Sequence, residues 1–131
     1  MSSNSNILVV DDNIDIANII KKTLEKDGYN VNVFDDPLLA LEYFKSNQKE
    51  TIIVISDVRM PGMSGVELLA NIKSIEPKVK AMLMTAFDID DIKPELERYD
   101  YEIAELFQKP FTMHNLSQRV RKHLTNETIW Q

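Results

Sequence analysis

Apolar positions along the chain alternate between short continuous runs and helical spacing. Ile7-Leu8-Val9-Val10 is a β-branched run too short for a helix and reads as a buried strand. Asn13 can cap a helix in which Ile16, Ile20 and Leu24 lie one turn apart, with Gly28 as the stop. Tyr29, Val31 and Val33 alternate with Asn30 and Asn32, the pattern of an edge strand with one wet face. Asp36-Pro37 opens a second helix with Leu41 and Phe44 on its inner side. Ile52 to Ile55 is another continuous buried strand, and Ser64-x-x-Glu67 is a capping box leading into Leu68, Leu69, Ile72 and Ile75. Ala81 to Met84 reads as a further strand and Ile103 to Phe107 as the fifth. The last helix carries Leu116, Val120 and Leu124 at i, i+4 and i+8.

Five strand–helix alternations with short connections predict an α/β fold: a mostly parallel sheet covered by helices on both faces. The pattern shows no repeat or linker. We expect a single domain over 1–131, with a core of about 6–124, a ragged N-terminus and a short tail over 125–131. Of 21 acidic and 15 basic residues, eight acids and two bases lie between Asp88 and Glu105, so that segment carries the whole net charge of −6. A balance of this sign argues against nucleic-acid binding over an extended surface. Pro94 limits a helix in the acidic segment to about one turn or kinks it. The absence of Cys excludes disulfides and thiolate metal sites. Neither a signal peptide nor a membrane helix is legible, so the expected location is the cytoplasm, with no membrane partner.

In an open parallel sheet, ligands bind beyond the carboxyl ends of the strands. The residues following the strands are Asp11-Asp12, Asp57, Thr85-Ala86 and Lys109-Pro110. One Asp after a strand is most often a helix cap, and Lys-Pro alone is a turn. Capping needs one oxygen, however, and Asp11-Asp12 supplies two carboxylates at one strand end. Two carboxylates about 5 Å apart repel by roughly 3 kcal/mol at an effective dielectric of about 20. Three of them require a cation. An all-oxygen donor set selects Mg²⁺ or Mn²⁺.

These residues resemble the receiver domain of two-component response regulators over about residues 6 to 124. The match rests on Val9-Val10-Asp11-Asp12, Asp57-Val58-Arg59-Met60-Pro61-Gly62-Met63-Ser64-Gly65, Met84-Thr85-Ala86 and Gln108-Lys109-Pro110-Phe111. Each fragment is weak alone, and all four in order are very specific. The resemblance implies a flavodoxin-like, doubly wound five-stranded sheet in the order 2-1-3-4-5. It implies phosphorylation of Asp57 by a histidine kinase or phosphotransfer protein. Asp11 and Asp12, with Asp57 and the Arg59 backbone carbonyl, would bind the metal. Lys109 would neutralise a phosphoryl oxygen, Thr85 would hydrogen-bond the attached group, and Pro110 would be cis.

Two departures change what the resemblance implies. Receivers often carry Tyr or Phe three residues before the Lys, and here that position is Leu106. Phe107 next to it points to the other face of the strand. The stretch from Thr85 to Lys109 is also somewhat long and contains Pro94. Output is therefore expected through the 86–106 surface toward a partner protein, with Ala86, Phe87 and Leu106 as switch or tuning positions and no aromatic rotamer at the fifth strand. The alternative is a Mg²⁺-dependent phosphohydrolase on a similar sheet. Such enzymes place a second Asp two residues after the nucleophile, where this chain has Arg59, so turnover of outside substrates is not expected. A flavin-binding domain is disfavoured by the anionic rim. Met60, Met63, Met82 and Met84 read as packing, His114 and His123 as surface residues, and Arg119, Arg121 and Lys122 as a solvated basic face.

Overall fold

The computed structural model describes residues 6–129, with side chains through Leu124. Its elements are β1 (Asn6–Val10), α1 (Ile14–Lys26), β2 (Asn30–Phe34), α2 (Pro37–Asn47), β3 (Thr51–Asp57), α3 (Gly65–Ile75), β4 (Lys80–Thr85), α4 (Ile89–Leu96), β5 (Glu105–Gln108) and α5 (Met113–Ile129). All strand pairs are parallel, in the order β2-β1-β3-β4-β5. The expected doubly wound, flavodoxin-like sheet is the observed fold.

The side-chain period of two divides each strand between two cores. Leu8 and Val10 join Phe44, Val54, Leu69 and Ile72 on one face, while Ile7 and Val9 join Ile20, Leu24, Ile55 and Val120 on the other. Helix starts follow the capping residues. Asn13 Oδ1 accepts from the Asp15 and Ile16 amides, Asp36 from Leu38, and Ser64 from Glu67. Gly28 ends α1 at φ +99°, a conformation that costs other residues a clash at Cβ. Met82 and Met84 are fully buried, and Met60 and Met63 pack on the first core, as read from the sequence.

The acidic segment departs from expectation. Its helix, α4, runs two turns with Pro94 inside, at the loss of one amide donor. Tertiary anchors hold it: Ile92 is buried, and Leu96, Tyr99, Tyr101 and Ile103 pack against the α2–α3 core. The fifth strand begins at Glu105 rather than Ile103. The α5 backbone continues to Ile129, past Leu124 where the apolar pattern ends. The N-terminal five residues and Trp130 lie outside the described residues.

His123 and Arg119 are also not the solvated residues their sequence context suggests. His123 Nε2 lies 2.8 Å from Glu105 Oε2, and Arg119 Nε donates to Glu105 Oε1 at 2.7 Å. The Arg119 guanidinium sits 4.5 Å over the Phe107 ring, and Arg121 pairs with Asp27. Burial alone would raise the Glu105 carboxyl, but the hydrogen bonds from His123 and Arg119 outweigh it and hold the group below its usual 4.5. A depressed carboxylate contributes stability that is complete above its unfolded value and lost as pH falls through the folded one. Denaturant melts between about pH 5 and about pH 3 should therefore show Glu105→Gln losing less stability than the parent. Parallel losses would remove Glu105 from the acid response.

Candidate functional site

The three carboxylates named from the sequence meet at the carboxyl end of the central strands. One oxygen from each of Asp11, Asp12 and Asp57 lies within 4.8 Å of the others. Parallel pairing puts them there: β1 lies beside β3, with Val10 opposite Ser56, so the residues next in sequence, Asp11 and Asp57, emerge on one rim. Asp11 is buried, its Oδ1 accepting from the Asn13 amide at 2.9 Å. Asp12 is exposed and Asp57 half-buried, with Asp57 Oδ1 accepting from the Val58 amide at 3.1 Å.

Lys109 arrives from the far side. Its amide donates to the Thr85 carbonyl at 2.7 Å, and the Lys109–Pro110 peptide is cis, as expected. Its Nζ stands 3.4 Å from both Asp11 Oδ2 and Asp57 Oδ1. Burial raises the Asp57 carboxyl above its usual value. Repulsion from Asp11 and, less, Asp12 adds to this, and Lys109 opposes it. One ammonium among three carboxylates leaves an excess of negative charge on hard oxygen donors, which fits a small divalent cation.

Thr85 is buried at the end of β4, with its Oγ1 engaged by its own loop, accepting from the Phe87 amide at 2.9 Å. Ala86 and Phe87 are exposed. The Arg59 guanidinium stacks 4.5 Å from the Phe87 ring centroid, joining the loop after β3 to the loop after β4. Leu106 packs on the α2–α3 core while Phe107 is fully buried in the other, so the two do point to opposite faces. Three contacts escaped the sequence reading: Arg59 on Phe87, Ser64 Oγ donating to Glu95, and Tyr101 Oη donating to the Val66 carbonyl. No local pattern announces any of them.

A family model described as the response regulator receiver domain matches residues 7–121. The chain is 30% identical over 118 residues to the response regulator receiver protein CpdR of Brucella abortus, covering 90% of this chain and 95% of that one. It is 30% identical over 123 residues to sporulation initiation phosphotransferase F of Bacillus subtilis, covering 92% and 94%. A response regulator receiver domain protein from Clostridium thermocellum superposes with a TM-score of 0.82 at 29% identity, over 97% of this chain and 99% of that one. The response regulator TrrA of Thermotoga maritima, solved with Mg²⁺ and BeF, gives 0.75 at 30% identity, over 90% and 97%.

Proposed function

We propose, for a chain that belongs to the response regulator receiver family, that Asp57 is the phosphoryl acceptor and that the Asp11–Asp12–Asp57 cluster is its metal site. Members of this family are phospho-acceptor signalling domains of two-component systems. The carrying observation is the convergence of three carboxylates and one ammonium on a single rim. An Asp57 oxygen forms a bond to phosphorus as the donor's P–N bond, from a kinase or phosphotransfer histidine, breaks. Mg²⁺ held by Asp11, Asp12, Asp57 and the Arg59 carbonyl would offset negative charge on the transferred group. Lys109, already between Asp11 and Asp57, is placed to neutralise a further phosphoryl oxygen. Thr85 reaches that group by giving up its bond to the Phe87 amide, which ties phosphorylation to the loop bearing Phe87.

The domain acts by binding or relay rather than by turnover. The position where a phosphohydrolase of this kind places its second Asp holds Arg59, and that guanidinium is stacked on Phe87. We assign output to the 86–106 surface, the site of action to the cytoplasm and the full 131 residues to one receiver unit. No described helix is long and apolar enough to cross a membrane. Incubation with Mg²⁺ and acetyl phosphate tests the reading: intact-mass analysis should show one phosphoryl group, and none when a chelator is present from the start. Metal-independent labelling would refute the assigned chemistry.

Phosphoryl lifetime provides a further expectation. Phe87 under Arg59 offers no group to orient an attacking water. Phe87→Glu or Phe87→Asn should accelerate loss of label several-fold, about 1 kcal/mol in barrier. An unchanged decay rate would exclude Phe87 as the brake.

A further inference from the structure

We infer that the phosphorylation state of Asp57 is read at α4 through the start of α3, by a clasp of two hydrogen bonds, Ser64 to Glu95 and Tyr101 to Val66. The inference rests on Asp57 being the acceptor. The start of α3 sits directly against the main chain that carries Asp57. The Gly65 amide donates to the Val58 carbonyl at 2.8 Å, and a Cβ on Gly65 would stand 2.0 Å from the Asp57 carbonyl oxygen. Ser56 Oγ donates to that same carbonyl at 2.9 Å. A shift of the Asp57 backbone has no slack to disappear into here, and it passes to the neighbours of Gly65.

Both neighbours hold the acidic segment. Ser64 Oγ caps α3 by accepting from the Glu67 amide at 3.1 Å, and the same hydroxyl donates to Glu95 on α4. The Val66 carbonyl accepts from Tyr101 Oη at 2.7 Å. Burial pushes the Tyr101 hydroxyl well above its usual range, so it remains a donor throughout the physiological range. Val58, Arg59, Met60, Pro61, Ser64 and Glu95 line an open groove of about 440 Å³, which leaves α4 room to move relative to the loop after β3. On β5, Leu106 is an aliphatic side chain packed on the core. The polar link of this strand toward α4, Gln108 Nε2 donating to Asp88 at 3.0 Å, goes to the loop before α4 rather than to the body of the helix that Ser64 holds.

Thr85 Oγ1 accepts from the Phe87 amide in the same conformation that closes the clasp. The two are paired in this proposal: a Thr85 drawn to a phosphoryl group goes with an open clasp, so breaking the clasp shifts the population toward the phosphorylated conformation. By reciprocity, that shift tightens binding of a phosphoryl mimic.

The test uses the full chain with Mg²⁺ and beryllofluoride, reading affinity by titration and backbone amide exchange over 88–97. In the parent, exchange over this segment should change when the mimic binds. In Glu95→Ala, exchange without the mimic should already resemble the loaded parent, and the mimic should bind about fivefold or more tightly. Tyr101→Phe, which keeps the ring and removes only the donor, should shift both readouts in the same direction. Glu95→Gln keeps an acceptor for Ser64 while removing the charge, and should stay near the parent. A merely packing contact would loosen α4 and leave affinity unchanged, and that result overturns the inference. Equal tightening in Glu95→Gln also overturns it, because the effect would then come from charge alone. If the parent itself fails to bind beryllofluoride with Mg²⁺, the acceptor assignment fails and the clasp falls with it.

Discussion

Asp57→Asn should abolish phosphorylation while leaving the fold at least as stable. An amide has no anionic oxygen to attack phosphorus, so with Mg²⁺ and acetyl phosphate the variant should gain no phosphoryl mass where the parent gains one. The fold should tolerate the change because the Asn carbonyl can still accept from the Val58 amide, which Asp57 Oδ1 takes at 3.1 Å. Lys109 keeps Asp11 as a partner. The raised Asp57 carboxyl means that folding disfavours its ionised form, so that form costs stability at neutral pH. Removing the charge relieves both desolvation and repulsion from Asp11. In the absence of metal, the melting temperature should therefore be equal or higher. Undiminished labelling would move the acceptor elsewhere, and a collapsed melting temperature would show that Asp57 has a structural role absent from its contacts.

Gly65→Ala should be the most destabilising small substitution in the loop after β3. Its Cβ would lie 2.0 Å from the Asp57 carbonyl oxygen, and main chain cannot swing aside as a flexible side chain would. Relief requires the start of α3 to back away from β3, breaking the Gly65–Val58 hydrogen bond and uncovering Val66 and Leu69. We expect a loss of about 3 kcal/mol or more. That corresponds to a fall of roughly 10 °C in melting temperature for a domain of this size. Gly62 is the control. Its φ of +90° strains a substituent, but nothing lies within 4 Å of the added Cβ. Gly62→Ala should cost only about 1–2 kcal/mol. Equal losses at the two positions would show that backbone strain, rather than contact with the Asp57 carbonyl, sets the need for glycine at Gly65. Acetyl-phosphate labelling of Gly65→Ala at low temperature should also slow, because the displaced carbonyl belongs to the acceptor.

The contrast between α3 and α4 shows what is legible locally. Ser64 and the apolar positions Leu68, Leu69 and Ile72 announce α3, since a cap and a 3.6-residue period are written within one stretch of chain. The α4 stretch offers only Pro94 and a run of acids, which predict little helix. It forms because Ile92, Leu96, Tyr99 and Tyr101 find a surface built from residues far away in sequence. The same distinction separates the site from its surroundings. Asp11, Asp12, Asp57, Thr85 and Lys109 are each marked by following a strand, and a parallel sheet delivers every strand end to one rim.

His123 illustrates the opposite case. Nothing within several residues of it explains its position, and its partner Glu105 lies at the end of the acidic segment, 18 residues earlier in the chain. Only the docking of α5 against β5 brings the two together, with Arg119 completing the cluster over Phe107. The sequence by itself determined the alternation of strands and helices and the acidic residues at the strand ends, because periodicity and capping are local, while the sheet order came only with the resemblance to receiver domains. Tertiary structure alone decided that Arg59 covers Phe87, that Ser64 and Val66 hold the acidic segment, and that Glu105 is paired with Arg119 and His123. Those pairings join residues from separate elements. Their energies depend on burial and distance, which no stretch of sequence encodes until the sheet has assembled and the helices have packed.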